Sequence, residues 1–418
     1  MVARNASNPI VIVGGGVAGA NAAATVRDEG FAGRVVLIGD EPGIPFGRPP
    51  LSKGYLRSAE DLDAWYVRPP AWYEAHGVER LTASTVAAVD PAAHVVTLAS
   101  GGTLEYHRVL IATGGRNRRL AVPGADLAGI HQLRTVAECA AIKREAVSGR
   151  RAVVVGMGFI GCEVAASLTQ LGVQVTAVFG GAAPLERVLG GELGGAIGAI
   201  HRDRGVELLA GRQITGFEGT GRVEAAVTAT GDRLPCDFVV AGVGIEPTAP
   251  GLDGAPAVRS GAIDVDQWCR AEPPDVYAAG DVANHLHPIF GRIRVEHFNN
   301  AEKQGRAAAR SMLGAGAPYD YLHSFWSDQY EHKLEYVGHA ARWDEFLVRG
   351  NLEERRLIGF YRLDGRMLAA VGLDRGGDPE LDTKGEMAAC ARLVAQRATA
   401  GPAALADERV DLWSLVEE

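Results

Sequence analysis

The sequence has few cysteines, no long apolar run and no excess of positive charge. Its five cysteines are scattered and never form a CxxC pair, which argues against a disulfide framework or a zinc site and favours a reducing compartment. No apolar stretch reaches the roughly 18 residues of a membrane span, and the first residues, MVARNASNPI, lack the apolar core of a signal peptide. The net charge of −9 argues against broad nucleic-acid binding. We therefore expect a cytoplasmic protein with no nucleic-acid partner and no membrane insertion.

The length and the apolar content predict more than one domain. A chain of 418 residues with 47% hydrophobic residues exceeds one ordinary core, so we expect two or three domains. Many of the 54 glycines stand at turns that join predicted strands to predicted helices.

The stretch PIVIVGGGVAGANAAATVRDEG predicts a buried strand, a glycine turn and a helix, and RVVLIGDE predicts the next strand. Gly14, Gly16 and Gly19 fill the GxGxxG positions, which allow a tight turn, close approach to a pyrophosphate and close helix packing. The helix N-terminus would offer unpaired N–H groups to the phosphates. Asp40 or Glu41, at the end of the second strand, can hold a ribose hydroxyl. We interpret this unit as dinucleotide-binding, the alternative being a glycine-rich turn without a ligand.

A second unit of the same kind follows at RRAVVVGMGFIGCEVAASLTQLGVQVTAVF, where Gly156, Gly158 and Gly161 repeat the glycine pattern. Two complete units indicate two dinucleotides, and the usual pair is FAD with a nicotinamide cofactor. Between them, residues 106–115 (YHRVLIATGG) predict a strand and a glycine turn at which the chain can cross between domains.

Residues 275–284 (DVYAAGDVAN) predict a strand, a turn at Gly280-Asp281 and the start of a helix. An aspartate at such a turn can accept a hydrogen bond from a ribityl hydroxyl, and the helix dipole would face the electron-rich end of a reduced flavin. The alternative is that Asp281 is only a helix N-cap.

The chain resembles the FAD-dependent ferredoxin reductases that serve oxygenases and cytochromes P450, of the putidaredoxin reductase and rhodocoxin reductase type. The motifs, in order, are VGGGVAGANAA, GDEPGIPFGRPPLSK, LIATGG, VVGMGFIGCEVAA, GVGIEPT, YAAGDVAN and FWSDQY. The resemblance implies an α/β fold with two Rossmann-like domains, as in glutathione reductase, and an α+β C-terminal domain. It implies an FAD domain at 1–115 and 247–322, an NAD(P)H domain at 116–246 and a C-terminal domain at 323–418. FAD, NAD(P)H and a [2Fe–2S] ferredoxin are the implied cofactors and partner.

Residues 43–46 (GIPF) bear on the chemistry because related enzymes carry cysteine in this region. Glutathione reductase-type enzymes have a cysteine pair after the first dinucleotide unit, and NADH oxidases and coenzyme A disulfide reductases have a single cysteine. Without a thiol, hydride cannot reach a disulfide through a flavin–cysteine adduct. The sequence therefore argues against disulfide reductase chemistry and predicts that electrons leave the flavin directly.

The resemblance places Arg48, Pro49, Pro50 and Lys53 along the flavin. The two prolines give a stiff backbone suited to a flat apolar ring, and Arg48 can pair with phosphate or ribose oxygens. Lys53 would lie near the reactive edge of the isoalloxazine, with a solvated surface lysine as the alternative. In the family, the glutamate that matches Glu163 pairs with this lysine and moves when nicotinamide docks. We expect Glu163 in the first turn of its helix, where the dipole alone would also favour an acid, and we hypothesise that the pair keeps Lys53 charged and gates nicotinamide stacking.

Trp326, Val86 and His297 are flavin contacts by the same resemblance. Trp326, in FWSDQY, would place its ring and indole N–H over one end of the flavin, with a buried structural tryptophan as the alternative. For His297 the alternative is a structural histidine.

The sequence departs from the family pattern at Phe179, the last residue of VQVTAVF. NAD-preferring enzymes have Glu or Asp there to bind the adenine ribose 2′-hydroxyl. No arginine stands beside Phe179 to bind a 2′-phosphate, unless Arg187 folds back. We predict use of both NADH and NADPH, or weakened NADH selectivity. Cys162 is interpreted as a small buried hydrophobe rather than a redox residue, and the long charged segment 374–387 carries no functional inference.

Bacterial [2Fe–2S] ferredoxins are typically acidic, so the docking face should be basic. On a predicted helix at 301–313, Lys303, Arg306 and Arg310 form one stripe, and Arg292 and Arg294 precede it. The stripe would steer ferredoxin electrostatically, or it is simply a solvated face. A homodimer is compatible with the sequence.

Two alternative functions use the same scaffold. One is an NAD(P)H oxidase or quinone reductase with a different acceptor. The other is a flavin redox sensor that resembles apoptosis-inducing factor, in which NADH binding alters dimerisation. The RPPLSK segment favours the ferredoxin reductase.

Overall fold

A computed structural model describes residues 8–252 and 261–417 of the chain. These residues form two compact units, each made of separate stretches of sequence. The first unit takes residues up to 48, residues 61–116 and residues 245–321. The second unit takes residues 49–60, residues 117–244 and residues from 322 onwards. The three-domain boundaries inferred from the sequence stay a prediction.

Parallel and antiparallel strands alternate with helices along the described chain. The strands are β1 (Ile10–Val13), β2 (Val35–Ile38), β3 (Val78–Leu81), β4 (Val86–Asp90), β5 (Val95–Leu98), β6 (Thr103–Glu105), β7 (Arg108–Ile111), β8 (Gly115–Asn117), β9 (Ile130–His131), β10 (Arg151–Val155), β11 (Gln174–Phe179), β12 (Glu207–Ala210), β13 (Ile214–Glu218), β14 (Ala225–Thr228), β15 (Arg233–Pro235), β16 (Phe238–Ala241), β17 (Ile245–Pro247), β18 (Gly251–Leu252), β19 (Ile263–Val265), β20 (Val276–Ala278), β21 (Ala283–His287), β22 (Gly291–Ile293), β23 (Ser324–Gln329), β24 (His332–Gly338), β25 (Glu345–Asn351), β26 (Arg356–Leu363) and β27 (Arg366–Leu373). The α-helices are α1 (Val17–Asp28), α2 (Pro70–Ala75), α3 (Val136–Glu145), α4 (Phe159–Gln170), α5 (Glu186–Asp203), α6 (Phe298–Met312), α7 (Glu386–Ala395) and α8 (Pro402–Ala406). Short 3₁₀ helices lie at Pro49–Ser52, Leu62–Trp65, Gly280–Val282 and Leu412–Leu415.

The first unit is built around a parallel sheet of order β20-β7-β1-β2-β3. All four residues of β1 are buried, as expected for a parallel strand that is covered on both faces. Ile10 and Ile12 pack on one side with residues of α1 and α6, and Val11 and Val13 pack on the other side with β4 and β5. The strand order reverses next to β1, and in doubly wound sheets ligands bind at this point, outside the carboxyl ends of the strands.

The second unit contains a parallel sheet of order β12-β11-β10-β16-β9 and an antiparallel sheet of order β23-β24-β27-β26-β25. Helix α7 packs on β24 and β27 of the antiparallel sheet, while α4 packs against β10, β11 and β23. The structure thus confirms the predicted α/β class, with two parallel Rossmann-like sheets and an α+β C-terminal part.

Two helix assignments made from the sequence need correction. The expected helix start at Asp281 was wrong, because a 3₁₀ turn at Gly280–Val282 leads directly into strand β21. The N-cap of that turn is Ala279, so Asp281 lies inside the turn rather than at its cap. The basic helix predicted at 301–313 begins earlier, at Phe298, with His297 as its N-cap.

Candidate functional site

The first glycine turn has the backbone geometry that its sequence predicts. Gly14 has a φ of +122°, and a Cβ there would lie 2.1 Å from the carbonyl oxygen of Ala112, beyond the end of β7. A Cβ on Gly19 would lie 1.9 Å from the carbonyl oxygen of Gly14. Both positions therefore exclude a side chain through contacts within the protein itself.

Gly16 differs, because the protein does not fill the space beside it. A Cβ on Gly16 would meet nothing within 4 Å among the described residues beyond its chain neighbours. Gly16 is also the N-cap of α1, and in the described chain no side chain caps this helix end. The open space and the uncapped N–H groups fit a phosphate group at the helix N-terminus.

An open cleft lies beside this turn, at the end of β2. Asp40 and Glu41 line the cleft, together with Arg48 and Arg80. Glu41 accepts a hydrogen bond of 2.5 Å from Arg48, while Asp40 is exposed. The cleft therefore has carboxylates at the end of β2, a feature that fits the adenosine diphosphate part of FAD.

The second glycine turn repeats this arrangement in the second unit. Gly156 has a φ of +94°, and a Cβ on Gly161 would lie 1.9 Å from the carbonyl oxygen of Gly156. Gly158 is the N-cap of α4, and a Cβ there would again meet nothing within 4 Å in the described part of the chain beyond its neighbours. The second turn therefore also fits a dinucleotide.

Phe179 ends β11, as the sequence predicts, and its side chain is buried at 6% exposure. The backbone N–H of Arg212 donates to the carbonyl oxygen of Phe179 at 3.0 Å. The backbone of Arg212 therefore lies beside Phe179, the position at which an acid is missing. Arg187 is exposed in the first turn of α5.

A buried carboxylate, Glu163 of α4, is the most strongly bonded of the predicted site residues. Its side chain is 3% exposed, and its Oε2 lies 2.7 Å from the Lys53 ammonium. Ser52 donates to the same oxygen at 2.5 Å, and Ser327 donates to Oε1 at 2.7 Å. A buried ion requires this degree of pairing, because an unpaired charge in the interior is costly. Lys53 is itself only 13% exposed, so the structure does not support the surface-lysine alternative.

The expected position of Glu163 in the first helical turn was wrong. Helix α4 begins at Phe159, directly after the Gly158 N-cap, and its first turn contains no acid. Glu163 therefore lies in the second turn, outside the first turn to which the effect of the helix dipole is largely confined.

The segment at residues 49–60 is fastened to α3 and α4. Ser167, one turn after Glu163 in α4, donates to the carbonyl oxygen of Ser52 at 2.7 Å and accepts from Arg57 at 3.1 Å. Cys139 of α3 donates to the carbonyl oxygen of Leu51. Pro50 is buried in the 3₁₀ helix that precedes Lys53. These contacts fix the backbone from which Lys53 reaches Glu163.

Trp326 lies on β23 and is half-buried, opposite Glu335 of β24. Burial alternates along this strand, so that Phe325, Ser327 and Gln329 are buried while Trp326 is not. Ser327 bonds to Glu163 of α4, so the side chain of Trp326 lies on the opposite side of the strand.

The remaining predicted flavin contacts belong to the first unit. Val86 begins β4 and packs at the edge of the sheet core. Asp281 is half-buried, and its carbonyl oxygen accepts from Arg294 at 3.3 Å. The predicted residues of the first unit are Gly14, Gly16, Gly19, Asp40, Glu41, Arg48, Val86, Asp281 and His297, and those of the second are Pro50, Lys53, Gly156, Gly158, Gly161, Glu163 and Trp326.

Sequence reasoning missed four polar residues that surround the Lys53–Glu163 pair: Ser52, Ser327, Gln329 and His201. Gln329 donates to Ser327 at 3.3 Å, and its amide oxygen lies 3.0 Å from His201 Nε2. The signal that could have found two of them is the alternation of FWSDQY, which places Ser327 and Gln329 on one face with Phe325.

All five cysteines are free and buried, and burial raises the pKa of each thiol. Neutral thiols are poor nucleophiles. Cys162 therefore has the environment of a small buried hydrophobe.

The basic residues before and along α6 are engaged with neighbouring acids. The ion pairs are Arg292–Asp264, Arg294–Glu296, Arg306–Glu302 and Arg310–Glu29. Lys303 lies 5.7 Å above the ring of Tyr321. The surface is therefore more nearly balanced in charge than its arginines alone suggest.

The charged segment 374–387 is tied into the C-terminal part of the chain. Arg375 donates to both carboxylate oxygens of Glu386, at 2.7 and 3.0 Å, and pairs with Glu408. Arg349 also donates to Glu386, at 2.8 Å. Arg375 and Glu386 of this segment thus have structural partners.

Within residues 8–252 and 261–417, none of the helices combines the length and the apolar character that a membrane span requires. The same residues contain no group of three or more His, Cys, Asp or Glu side chains placed to hold a metal ion.

Comparison with known proteins identifies the family. Residues 8–305 match the family described as pyridine nucleotide-disulphide oxidoreductase, and residues 324–416 match the reductase C-terminal family. Rhodocoxin reductase from Rhodococcus erythropolis is 36% identical over 88% of this chain and 87% of that protein. A 5,5′-dehydrodivanillate O-demethylase ferredoxin reductase subunit from a Sphingobium species is 38% identical over 88% of this chain and 90% of its own length. A solved covalent putidaredoxin reductase–putidaredoxin complex is similar over 98% of both chains, with 32% identity and a TM-score of 0.90. The chain therefore belongs to the pyridine nucleotide-disulphide oxidoreductase family, in the group that contains rhodocoxin reductase and putidaredoxin reductase.

Proposed function

We propose that this protein passes electrons from NAD(P)H through FAD to a [2Fe–2S] ferredoxin that serves an oxygenase or a cytochrome P450. As a member of its family, the chain is an FAD-dependent NAD(P)H oxidoreductase. The observation that carries the proposal is the pair of glycine turns, in each of which the middle glycine, Gly16 or Gly158, borders open space. The similarity to reductases named for ferredoxin partners supports the acceptor.

The residues of each turn have a distinct task in this proposal. The Gly16 turn would hold the FAD pyrophosphate, and Asp40 or Glu41 would bind its ribose. The Gly158 turn would hold NAD(P)H in the same way. Bound FAD supplies the chemistry that converts a hydride donor's electron pair into single-electron transfers. The protein contributes binding, orientation and charge.

Lys53 is proposed to lie near the reactive edge of the flavin, where its positive charge favours the electron-rich reduced form. Glu163 keeps that charge paired while the site is empty of nicotinamide, and it gates nicotinamide stacking. The 2.7 Å contact between them supports the pairing. Arg48, Pro50, Val86, Asp281, His297 and Trp326 are proposed flavin contacts.

In this proposal the electrons do not pass through a cysteine thiol. Residues 43–46 are Gly-Ile-Pro-Phe, and the five cysteines are buried with raised thiol pKa values. These observations support direct transfer from the flavin to an external acceptor rather than through a disulfide.

Coenzyme use and assembly are further parts of the proposal. Phe179 supplies no carboxylate to repel a 2′-phosphate, so we propose that the protein uses both NADH and NADPH. We also propose that it is cytoplasmic and forms a homodimer.

The experiment mixes holoprotein that has been reduced anaerobically by NADPH with an oxidised bacterial [2Fe–2S] ferredoxin, and follows flavin reoxidation. Rapid reoxidation with matching loss of the ferredoxin visible bands would support the proposal. Reoxidation that is faster with a quinone or with oxygen than with several ferredoxins would favour the oxidase or quinone reductase. Slow reoxidation by every acceptor, with a change of oligomeric state, would favour the redox sensor.

A further inference from the structure

Both oxygens of the Glu163 carboxylate are bonded, and they are bonded from two different parts of the chain. Segment 49–60 supplies Lys53 and Ser52, which both bond to Oε2. The C-terminal strand β23 supplies Ser327, which donates to Oε1. The Lys53–Glu163 ion pair therefore involves only Oε2 of the carboxylate, and Ser327 bonds to Oε1.

Ser327 reaches Glu163 because of the alternation in β23. Ser327 and Gln329 are buried, with exposures of 1% and 2%, and they share one face of β23. From this face Ser327 bonds to Glu163 of α4. Gln329 donates from Nε2 to Ser327 Oγ at 3.3 Å. The Ser327 hydroxyl thus accepts one hydrogen bond from Gln329 and donates one to the Glu163 carboxylate.

The residues behind Gln329 fix the direction of these hydrogen bonds. Its amide oxygen can only accept, so His201 Nε2, 3.0 Å away, carries the ring proton. Burial lowers the pKa of His201 to about 4, so its Nδ1 accepts from the Tyr330 hydroxyl at 3.3 Å. Burial also raises the pKa of Tyr330 to about 12, which keeps that donor protonated.

The opposite orientation of the Gln329 amide would weaken the same network. Its oxygen would face Ser327 Oγ at 3.3 Å, and the single serine proton could serve only one of two acceptors, this amide oxygen or the Glu163 carboxylate at 2.7 Å. In the orientation that satisfies both contacts, every donor from Tyr330 to Ser327 points toward Glu163. Aligned hydrogen bonds of this kind reinforce one another in a low-dielectric interior.

We propose that Ser327 is a positioning residue for the Lys53–Glu163 pair, and that the directed chain His201–Gln329–Ser327 holds the Glu163 carboxylate in the orientation in which Oε2 meets Lys53. The proposal rests on the function proposed above, because that function gives the pair its role in flavin reduction. Ser327 acts through Glu163 and needs no contact with either cofactor.

The first test measures flavin reduction by NADPH in a stopped-flow instrument, with the holoprotein and its Ser327→Ala variant. Hydrogen bonds to charged groups contribute enough that we expect the limiting rate to fall about tenfold. Ser327→Thr, which keeps the hydroxyl, should restore most of the rate. Ser324→Ala is the matched control, since Ser324 is a buried serine on the same strand that bonds weakly to Glu380, and it should leave the rate unchanged.

A double-mutant cycle with Glu163→Gln separates positioning from a general structural effect. If Ser327 acts through the Glu163 charge, Ser327→Ala should slow wild type about tenfold but the Glu163→Gln variant less than about twofold. Equal slowing in both backgrounds would overturn the proposal. So would a Ser327→Thr variant that unfolds at the wild-type midpoint but reduces its flavin as slowly as Ser327→Ala.

The same cycle in the apoprotein needs no cofactor. The urea midpoints of the four proteins should show that Ser327→Ala shifts the midpoint less when Glu163 is already glutamine. Additive shifts would contradict the proposed coupling. Failure of wild-type holoprotein to be reduced by NADH or NADPH would instead refute the proposed function, and the apoprotein cycle would still test whether Ser327 supports Glu163.

Discussion

Replacing His201 by glutamine should make the protein less sensitive to acid. His201 lies in α5, its side chain is fully buried, and it bonds to Gln329 and Tyr330. Burial lowers its pKa to about 4 from the ordinary histidine value of 6.5, because the charged ring would lose its hydration. The unfolded chain therefore binds a proton at a pH where the folded chain does not.

The sign and the size of the effect follow from this difference. A group with a lowered pKa in the folded state contributes its full stability above the unfolded pKa, near pH 6.5, and loses it as the pH falls toward 4. Between pH 8 and pH 5, the linkage relation gives a loss of about 2 kcal/mol from this histidine alone. Glutamine cannot titrate, so the variant should lack this part of the loss.

The assay is urea unfolding of the apoproteins at pH 8 and pH 5, followed by tryptophan fluorescence at constant ionic strength. Wild type should lose about 2 kcal/mol more than His201→Gln between the two pH values. A His76→Gln variant serves as the control for the same substitution at an exposed histidine. Equal losses in wild type and His201→Gln would refute the conclusion that His201 is buried in its neutral form.

Four further predictions concern the cofactor sites. Gly158→Ala should weaken NADPH binding about tenfold or more and leave the unfolding midpoint of the apoprotein nearly unchanged, because the added methyl group enters open space that we propose for the coenzyme phosphates. Gly161→Ala should instead destabilise the apoprotein by at least about 2 kcal/mol, because its Cβ would lie 1.9 Å from a carbonyl oxygen. Phe179→Glu should raise the ratio of kcat/KM for NADH over NADPH about tenfold, because the new carboxylate can bind a ribose hydroxyl and repel a 2′-phosphate. Glu163→Ala should slow flavin reduction and change the affinity for NADPH, since Lys53 loses its partner. These quantities are measured by coenzyme titration, denaturant unfolding, steady-state kinetics and stopped-flow spectroscopy, respectively.

Each of these predictions has an outcome that contradicts it. Unchanged NADPH affinity in Gly158→Ala would contradict coenzyme binding at the second glycine turn. A wild-type midpoint in Gly161→Ala would contradict the close backbone contact. Phe179→Leu is the control for the loss of aromatic volume, and a similar change of coenzyme ratio in it would reject the carboxylate argument. An unchanged rate and affinity in Glu163→Ala would reject the gating role.

The glycine turns could be predicted because the constraint is local. Gly14 needs a positive φ, and Gly19 needs a close backbone contact, and both needs are tied to the residue type within a few positions. The Lys53–Glu163 contact was also anticipated, but through family resemblance, since the two residues are far apart in sequence. The alternation of β23 is also visible in FWSDQY, although the family resemblance singles out Trp326 rather than the buried face.

The polar surroundings of Glu163 could not be predicted from the same patterns. Ser52 and Ser327 are separated from Glu163 by 111 and 164 residues, and a serine in sequence carries no sign of its partner. The helix expected at Asp281 failed because the Gly280 turn is followed by strand β21, whose pairing with β19 overrides the local turn signal. Glu163 was misplaced by one turn because the helix begins immediately after Gly158.

The central claim is that electrons from NAD(P)H leave the flavin for a [2Fe–2S] ferredoxin. The most direct test is NADH- or NADPH-driven reduction of cytochrome c by the holoprotein, with and without an added bacterial [2Fe–2S] ferredoxin. We predict strong stimulation by ferredoxin with either coenzyme. Absence of stimulation across several ferredoxins, while the flavin is still reduced by the nicotinamide, would contradict the claim.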